Sequence, residues 1–389
     1  MTGRRRLASV RAALGCSAEV HVALPRVVVV GTGGTIAGAQ KKGEQGTLGS
    51  YRAGSLKVDS LVSGLPQSEL AKHATVECEQ FLNVASPAIT PTHWLSLSRR
   101  INELFAGPDP PAGVVVTHGT DRLEETAFWL YLTVASDRPV VIVGAQRPAT
   151  GLSPDGPVNL LSAIRVAASP QSIGMGAVVV MDDRIMSARE CRKLYPRVGG
   201  FGVGEGMGML GAVNSDGVIY FFAPVRRRGA RTDFAPEPRR VGDAEEELEL
   251  PRVELVFSYP GGHGPTLRDD TVGVVVVTTS GFAPSEREAF DKIRRRGVVI
   301  VTCFPSGDHV SPVFRESRTA ADDESDRSQN DLDRRDDGEN VDAKPAEAPM
   351  PPAMVRASHL LPAKARILLM CALTKTRDPA EVQAYFSEY

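Results

Sequence analysis

Hydroxyl and carboxylate side chains follow two valine-rich stretches of the chain. Four valines at 27–30 lead into a glycine-rich turn that carries Thr35, and three valines at 114–116 lead into a polar turn that carries Thr120 and Asp121. A hydroxyl can attack a carbonyl carbon when a nearby group takes its proton, and a carboxylate can orient such a group or bind a cation. These residue types predict a site for nucleophilic chemistry.

Runs of β-branched residues predict strands that are buried on both faces. A third run, Val140–Val143, also precedes a turn-rich segment, so we expect three parallel strands to end in polar loops at one edge of a sheet. Ligands of open α/β sheets bind just outside such strand ends. The helix after the second run is expected to begin near Asp121, with Glu124 and Glu125 in its first turn, where the helix dipole favours anions.

Glycine-rich turns like the one before Thr35 also occur in dinucleotide sites and as purely structural turns. A dinucleotide site requires a third glycine where this chain has Ile36, and it requires an acidic residue about 20 positions later. Residues 47–56 contain no acid, so a bound NAD is disfavoured. A purely structural turn remains open from this segment alone.

Three blocks of the sequence resemble those of a known family. TGGTIAG (32–38) and HGTDRLEETA (118–127) are similar to the two signature motifs of the bacterial-type L-asparaginase (asparaginase/glutaminase) family, and GAQRPATGLSPDGPVNL (144–160) resembles a third family block. The resemblance runs from about 26 to 315 and resumes over about 353–389. The two signatures together, in this order, are a specific signal.

The resemblance implies a set of catalytic residues. Thr35 corresponds to the family's threonine nucleophile, Tyr51 to the tyrosine of its lid, and Thr120, Lys193 and Asp121 to its Thr–Lys–Asp triad. The residues alone favour a solvated Lys193 in a basic stretch and a surface loop tyrosine at position 51. An amine acts as a base only in its uncharged form, so we expect Lys193 to be partly desolvated and held against Thr120.

The resemblance also implies how asparagine binds. Asp121 would pair with its α-amine, and Ser86 would bind its α-carboxylate through the hydroxyl and nearby N–H groups. Pro87 follows that serine and has no N–H to donate, which departs from the family pattern. The carbonyl of Ala145 would hold the leaving amide nitrogen, and N–H groups near Gly34 and Thr120 would form the oxyanion site.

The stretch between Gly38 and Leu56 is polar, rich in glycine and without apolar periodicity. We call residues 39–51 the lid segment and expect it to close over the site and exclude water. His118 lies inside the second signature, where we expect it to support the loop rather than act as a base.

Composition excludes several classes of function. The formal net charge is −2, which gives no electrostatic footprint for nucleic acid, and no apolar run approaches the roughly 18 residues that span a bilayer. We expect no metal and no cofactor, because the seven histidines and the scattered cysteines show no ligand spacing. Dispersed thiols favour a cytoplasmic, reducing compartment. Arg4–Arg6 could begin an export signal to the periplasm, but Arg11 interrupts the short apolar stretch that follows.

The fold class expected is α/β, with two α/β domains. A larger N-terminal domain (24–225) has a mainly parallel sheet flanked by helices and carries the site, and a smaller C-terminal α/β domain follows at 251–389. Three further segments differ in composition: a leader expected to be disordered (1–23), a charged linker (226–250), and an acidic insertion expected to be disordered (316–352).

Together these features predict an L-asparaginase that hydrolyses L-asparagine to L-aspartate and ammonia. A dual glutaminase–asparaginase and a catalytically weak asparagine-binding protein are the alternatives. An amidotransferase subunit is disfavoured, because such subunits carry an additional N-terminal domain. The family implies a homotetramer built as a dimer of dimers, in which a neighbouring subunit adds an acidic residue to the site; the sequence does not identify that residue.

Overall fold

The computed structural model describes residues 23–41, 43, 50–204, 207–224, 229–237, 250–279, 281–307, 352–357 and 359–389. Most of the expected leader, all but the last residue of the acidic insertion, and parts of the linker and of the lid segment lie outside these residues.

Strands and helices alternate over residues 26–181, and strands predominate from there to residue 277. The strands are β1 (Arg26–Gly33), β2 (Thr75–Val84), β3 (Gly113–Thr117), β4 (Val140–Val143), β5 (Ala177–Met181), β6 (Arg184–Ser187), β7 (Arg192–Lys193), β8 (Phe201–Gly202), β9 (Met209–Asn214), β10 (Gly217–Tyr220), β11 (Arg252–Phe257), β12 (Thr271–Val277), β13 (Val299–Cys303) and β14 (Val355–Arg356). The helices are α1 (Val58–Ser63), α2 (Gln67–Leu70), α3 (Pro91–Ala106), α4 (Leu123–Thr133), α5 (Gly156–Ala168), α6 (Pro284–Arg295), α7 (Pro362–Ala372) and α8 (Pro379–Glu388).

The first sheet has the strand order β10-β9-β6-β5-β4-β3-β1-β2. The five strands from β5 to β2 run parallel, and the other three are antiparallel additions. Gly31 of β1 lies beside Thr117 of β3, which lies beside Val143 of β4. The three expected strands therefore end side by side, so the loops that follow them meet at one edge.

Alternate valines of β1 and β3 face opposite layers of helices. Val27 and Val29 belong to the core that includes α5, whereas Val28 and Val30 belong to the core that includes α4. Both faces of the sheet are covered, which explains why the strands are runs of valine rather than alternating apolar and polar residues.

A second, four-stranded parallel sheet has the order β11-β12-β13-β14. Helix α6 covers one face with Phe290 and Ile293, and α7 covers the other face. Helix α7 also packs against α4 of the first sheet, so one apolar core continues from the first sheet into the second. The expected mixed α/β architecture, with a large mainly parallel sheet and a second parallel sheet, is confirmed.

Most of the expected linker that the structure describes, residues 229–237, is packed against other elements. Residues 229–237 include a 3₁₀ turn, and Phe234 is buried against the rings of Tyr385 and Tyr389, with centroids 4.9 Å away in each case. The backbone N–H of Asp233 donates to Tyr389 Oη at 2.8 Å. The described part of this stretch is therefore tied to the C-terminal helices by aromatic packing that its charged composition did not indicate.

Candidate active site

A sharp turn at the end of β1 places Thr35. The residue begins a 3₁₀ turn, Thr35–Ala37, directly after two glycines with positive φ, 103° at Gly33 and 81° at Gly34. Residues with a Cβ rarely adopt this conformation. A methyl group added at Gly34 would also collide with the backbone of Gly119 in the turn after β3. The glycines thus allow the turn itself and bring the two signature loops into contact.

Thr35 is almost enclosed and meets the phenol of the lid segment. The residue is 7% exposed, and its Oγ1 lies 2.7 Å from Tyr51 Oη. The ring of Tyr51 lies over Gly38, where a Cβ would be 2.7 Å from its Cδ2 atom. The structure therefore brings together two of the residues expected to be catalytic, with an oxygen–oxygen distance suitable for proton transfer.

A second cluster joins the turn after β3 to the short strand β7. Lys193 Nζ donates to Thr120 Oγ1 at 2.8 Å and to Asp121 Oδ1 at 2.6 Å. The side chain of Lys193 is 18% exposed and that of Asp121 is 60% exposed. The expected partly desolvated lysine against Thr120 is what the structure shows. In its uncharged form this amine could accept the Thr120 proton, while the Asp121 carboxylate holds it in place.

The backbone of Lys193 is also held by neighbouring elements. Strand β7 pairs with β8, where Lys193 lies opposite Phe201, and the N–H of Lys193 donates to the carboxylate of Glu124. Glu124 was expected in the first turn of its helix, and it is there. The hydrogen bond by which Glu124 holds strand β7 was not predicted, because nothing in the sequence places residue 193 beside residue 124.

Helix α4 begins at Leu123, slightly later than the expected start near Asp121. The two residues with expected catalytic roles, Thr120 and Asp121, therefore remain in the turn. Their groups make contacts with other elements instead of joining the helix: Thr120 Oγ1 accepts from Lys193, and the N–H of Asp121 donates to Ser86.

Ser86 lies directly under the second signature loop. It is 4% exposed, and its Oγ accepts the backbone N–H of Asp121 at 3.2 Å. A Cβ at Gly119 would approach the same oxygen to 2.7 Å, so only glycine fits between these loops. A hydroxyl that accepts one hydrogen bond still has its proton to donate, which suits a carboxylate ligand.

One expected oxyanion donor is already engaged. The backbone N–H of Gly34 donates to the carbonyl oxygen of Val84 at 3.0 Å, as part of the irregular junction between β1 and β2. In this conformation the N–H of Gly34 is bound to Val84 and does not point to an oxyanion. The role of Gly34 is to let the two signature loops approach closely.

The loop after β4 is fixed on both sides of Ala145. Asp155 accepts the N–H groups of Gln146 and Arg147 at 2.9 and 2.8 Å, and Asn159 Nδ2 donates to the carbonyl of Gly144 at 3.1 Å. Ala145 itself is fully buried. Asp155 and Asn159 belong to the third family block, where the sequence indicated no role for them. Their side chains hold the peptide groups that flank the carbonyl expected to bind the leaving amide.

The described ends of the lid segment are attached to the rest of the site. Ala39 and Arg52 pair as an antiparallel bridge, and the N–H of Gln40 donates to Thr150 Oγ1 at 2.8 Å. Residues 42 and 44–49 of the lid segment lie outside the described residues. The bridge explains how Tyr51 is directed back toward the first turn.

His118 is a core residue. It is fully buried, and burial lowers its pKa from 6.5 to about 4 despite the hydrogen bond to the Gly119 carbonyl. Its Nδ1 lies 2.7 Å from that carbonyl oxygen, and its Nε2 lies 2.9 Å from Thr126 Oγ1, which accepts from Trp94 Nε1 at 2.8 Å. Every donor in this chain of hydrogen bonds finds an acceptor if the ring is neutral. His118 thus supports the loop, as expected.

The cysteines of the described residues do not offer a competing nucleophile. Cys191, two residues before Lys193, is fully buried, and burial raises the pKa of its thiol to about 12. Burial likewise raises the pKa of the Cys303 thiol to about 12 and that of Cys78 to about 11. Thiols with such values remain protonated at neutral pH. Within the described part of the chain, no group of three or more His, Cys, Asp and Glu side chains is arranged to hold a metal ion.

Comparison with known proteins gives consistent results. The family model described as "Asparaginase, N-terminal" matches residues 26–225. L-asparaginase 2 of Bacillus subtilis is 37% identical over 96% of this chain and 89% of its own length. The glutaminase-asparaginase of Pseudomonas fluorescens is 32% identical over 95% of this chain and 92% of its own.

A solved structure shares the fold. The crystal structure described as "Probable Cytoplasmic L-asparaginase from Campylobacter jejuni" superposes with a TM-score of 0.72 at 29% identity, covering 94% of this chain and all of the other. The family match extends from β1 to just beyond β10, and it includes Thr35, Thr120 and Lys193. The resemblance inferred from the signature blocks is confirmed, and the chain belongs to the asparaginase family.

Proposed function

We propose that this protein is an L-asparaginase that converts L-asparagine and water into L-aspartate and ammonia. One observation carries the proposal. A nearly buried threonine hydroxyl in contact with a phenol, and a second threonine hydroxyl bonded to a lysine amine, lie on adjoining loops of the same sheet edge. The family membership and the near full-length similarity to proteins named L-asparaginase 2 support the same activity.

In the proposed reaction, Thr35 Oγ1 attacks the carbonyl carbon of the substrate's side-chain amide. Its proton leaves through Tyr51, the group in contact with it, as the new C–O bond forms. The C–N bond then breaks, and ammonia departs with that proton, leaving an ester on Thr35. Water attacks the ester carbon, Thr35 regains its proton, and aspartate is released.

The Thr120–Lys193–Asp121 cluster supplies the second base. The uncharged Lys193 amine would take the Thr120 proton, and the Thr120 oxygen would then accept the proton of the attacking water. Asp121 holds the Lys193 amine in place. The exposed side of its carboxylate pairs with the α-amine of the substrate. Ser86 donates to the α-carboxylate, and the Ala145 carbonyl accepts from the leaving amide nitrogen.

Ammonia release by the purified protein tests the proposal. We expect turnover of L-asparagine by the wild type and, in Thr35→Ala, a loss of kcat on the order of 10⁴-fold, because the nucleophile is gone. Thr75→Ala removes an exposed threonine at the start of β2 and should leave kcat unchanged. Absence of wild-type turnover on asparagine and glutamine would refute the function. A fully active Thr35→Ala would refute the nucleophile.

The dual glutaminase–asparaginase activity is the second candidate, favoured by the similarity to the Pseudomonas fluorescens protein of that name. The two amides differ by one methylene, which changes kcat/KM by only about 10- to 200-fold in a typical apolar pocket. The ratio of kcat/KM on the two amides decides between the candidates. Calorimetric binding of asparagine by a wild type without turnover would instead indicate a binding protein.

We further propose a cytoplasmic homotetramer. The dispersed thiols and the description of the Campylobacter jejuni relative as cytoplasmic support the compartment, and large apolar side chains at the surface, including Phe222 and Tyr259, support association. Among the described residues, no helix has both the length and the apolar character needed to cross a membrane. Native mass and cell fractionation test both statements.

A further inference from the structure

A completely buried lysine lies behind the strand that carries Lys193. Lys364, in the first turn of α7, is 0% exposed. Its Nζ donates to the backbone carbonyl oxygens of Ala188 at 2.9 Å, Arg189 at 2.8 Å and Cys191 at 2.5 Å. An ammonium group has three N–H donors, and all three are used on one short segment.

This arrangement costs desolvation energy that a neutral residue would avoid. Lysine is among the residues least often fully buried, and removing its charge from water is unfavourable unless other groups compensate. Three carbonyl dipoles compensate here, and Nζ lies 5.9 Å from the ring centroid of Phe128 on α4, on the face where a cation is attracted. An apolar side chain would fill this position without the cost of burying an ammonium group. The function of the lysine is therefore to bind the three carbonyl oxygens.

The segment held in this way leads directly into the triad. Cys191, whose carbonyl Lys364 binds, is two residues before Lys193, and the N–H of Lys193 is bound by Glu124 of α4. The segment that leads into β7 is thus held by a side chain of α7, and β7 itself is held by a side chain of α4. Without Lys364, the carbonyls of Arg189 and Cys191 would lose the donor that the described residues give them, and that of Ala188 would keep only the weak thiol donor of Cys191 at 3.9 Å, so the segment would shift to reach water.

We infer that Lys364 is a positioning residue, which sets the distance between Lys193 Nζ and Thr120 Oγ1 by holding residues 188–191 from behind. The inference rests on the proposed function for its kinetic readout. The claim that Lys364 determines the position of Lys193 does not depend on which reaction the protein catalyses.

Lys364→Met keeps the length of the side chain and removes the donors. We expect kcat on asparagine to fall by about 10- to 100-fold, because small misplacements of a catalytic group have effects of this size. KM should change little, since Ser86 and Ala145 are held by other elements. Lys364→Arg keeps the charge with a broader, planar head group, so its kcat should lie between those of wild type and Lys364→Met.

Two controls separate positioning from general destabilisation. Lys375→Met removes an exposed lysine just beyond α7 and should behave as wild type. Leu368→Ala opens a cavity in the core under the same helix, so it should lower Tm while kcat below the transition stays near wild type. If Leu368→Ala loses as much kcat as Lys364→Met at equal loss of Tm, the role is merely structural and the inference is wrong.

Crystal structures of the variants complete the test. In Lys364→Met we expect the Lys193 Nζ to Thr120 Oγ1 distance to exceed hydrogen-bonding range, and an unchanged 2.8 Å overturns the inference. If Lys364→Met does not fold, Lys364→Arg decides: reduced kcat at constant KM supports the inference, and wild-type kcat overturns it. If the wild type itself has no activity, the proposed function fails and the distance measurement alone decides.

Discussion

Thr35 and His118 belong to the two signature segments, but they have opposite surroundings. The histidine, which has the conventional chemistry of a base, is fully buried with both ring nitrogens bonded within the core. The threonine, which is inert on its own, has a phenol oxygen at 2.7 Å and a loop on either side. At the scale of single residues, environment rather than residue type distinguishes the proposed catalytic group from the supporting one.

The neutral state of His118 predicts a pH dependence of stability. The folded-state pKa is about 4 and the ordinary value is 6.5, so between these pH values the unfolded chain binds a proton that the folded chain does not. Stability is therefore present above pH 6.5 and is lost as the pH falls toward 4. Between about pH 7.5 and about pH 5 the loss from this residue should be about 2 kcal/mol.

Chemical denaturation of the wild type and of His118→Gln at both pH values measures this effect. The variant should be less stable at the higher pH, and the difference between the two proteins should shrink by about 2 kcal/mol at the lower one. Comparing the two proteins cancels the titration of the carboxylates that both share. A difference that stays constant with pH would contradict the neutral, buried histidine.

At the scale of elements, the site is made by strand ends in register. β1, β3 and β4 finish beside one another, and each is followed by a loop that contributes Thr35, Thr120 or Ala145. Side chains at the starts of the flanking helices then hold parts of the site: Glu124 of α4 holds strand β7, and Asp155 and Asn159 at the start of α5 hold the loop after β4. The helix starts thus position other parts of the site and do not contribute the proposed catalytic groups themselves.

Removing the carboxylate of Asp155, which holds the loop after β4, should affect catalysis more than folding. Asp155→Ala leaves the N–H groups of Gln146 and Arg147 without their acceptor, so the Ala145 carbonyl should lose its alignment. We expect kcat/KM on asparagine to fall by about 10- to 100-fold, as for other small misplacements. Asp269→Ala, which removes an exposed carboxylate, is the matched control.

Steady-state kinetics and far-UV circular dichroism measure the two effects. A folded Asp155→Ala with wild-type kcat/KM would show that the Ala145 carbonyl needs no such support.

The elements of the site could be predicted more fully than their long-range contacts. Valine runs identified β1, β3 and β4, because burial on both faces leaves a continuous apolar signal. The position of Thr35 after two glycines was also evident, since the turn needs positive φ. The attachment of the two-residue strand β7 to Glu124 could not be predicted. It joins residues 69 apart in the chain, and such a contact produces no periodic pattern in the sequence.

The role of Lys193 depended on the family resemblance. From the residues alone, a solvated lysine was favoured, and its low exposure arises from neighbours supplied by the fold. The burial of Phe234 within a charged stretch was missed for the same reason: its aromatic partners, Tyr385 and Tyr389, lie at the other end of the chain.

At the scale of the whole molecule, the two sheets share a core. Helix α7 packs against β11, β12 and β13 of the second sheet and against α4 of the first. Both tryptophans of the chain, Trp94 and Trp129, are buried on the first-sheet side and stack at 5.8 Å. Their fluorescence therefore reports on the first sheet, while α7 can be altered separately.

Leu368→Ala tests whether the sheets unfold together. Deleting a buried leucine costs about 2–5 kcal/mol, and a shared core transmits that loss to both sheets. We expect the denaturation midpoint measured by tryptophan fluorescence to fall together with that measured by circular dichroism. Leu152→Ala, at a 70% exposed position, should leave both midpoints unchanged. A fluorescence midpoint unaffected by Leu368→Ala would mean that the sheets unfold independently.

The buried lysine of α7 also has a consequence for the order of events during synthesis. Lys364 is made 176 residues after Ala188, whose carbonyl it binds. At a typical rate of 5–20 residues per second this interval lasts roughly 10–35 s on the ribosome. Until α7 emerges, a nascent chain lacks the amine that binds those carbonyls. We therefore expect a chain under translation to release ammonia slowly until α7 emerges and docks, and at the full rate only after that.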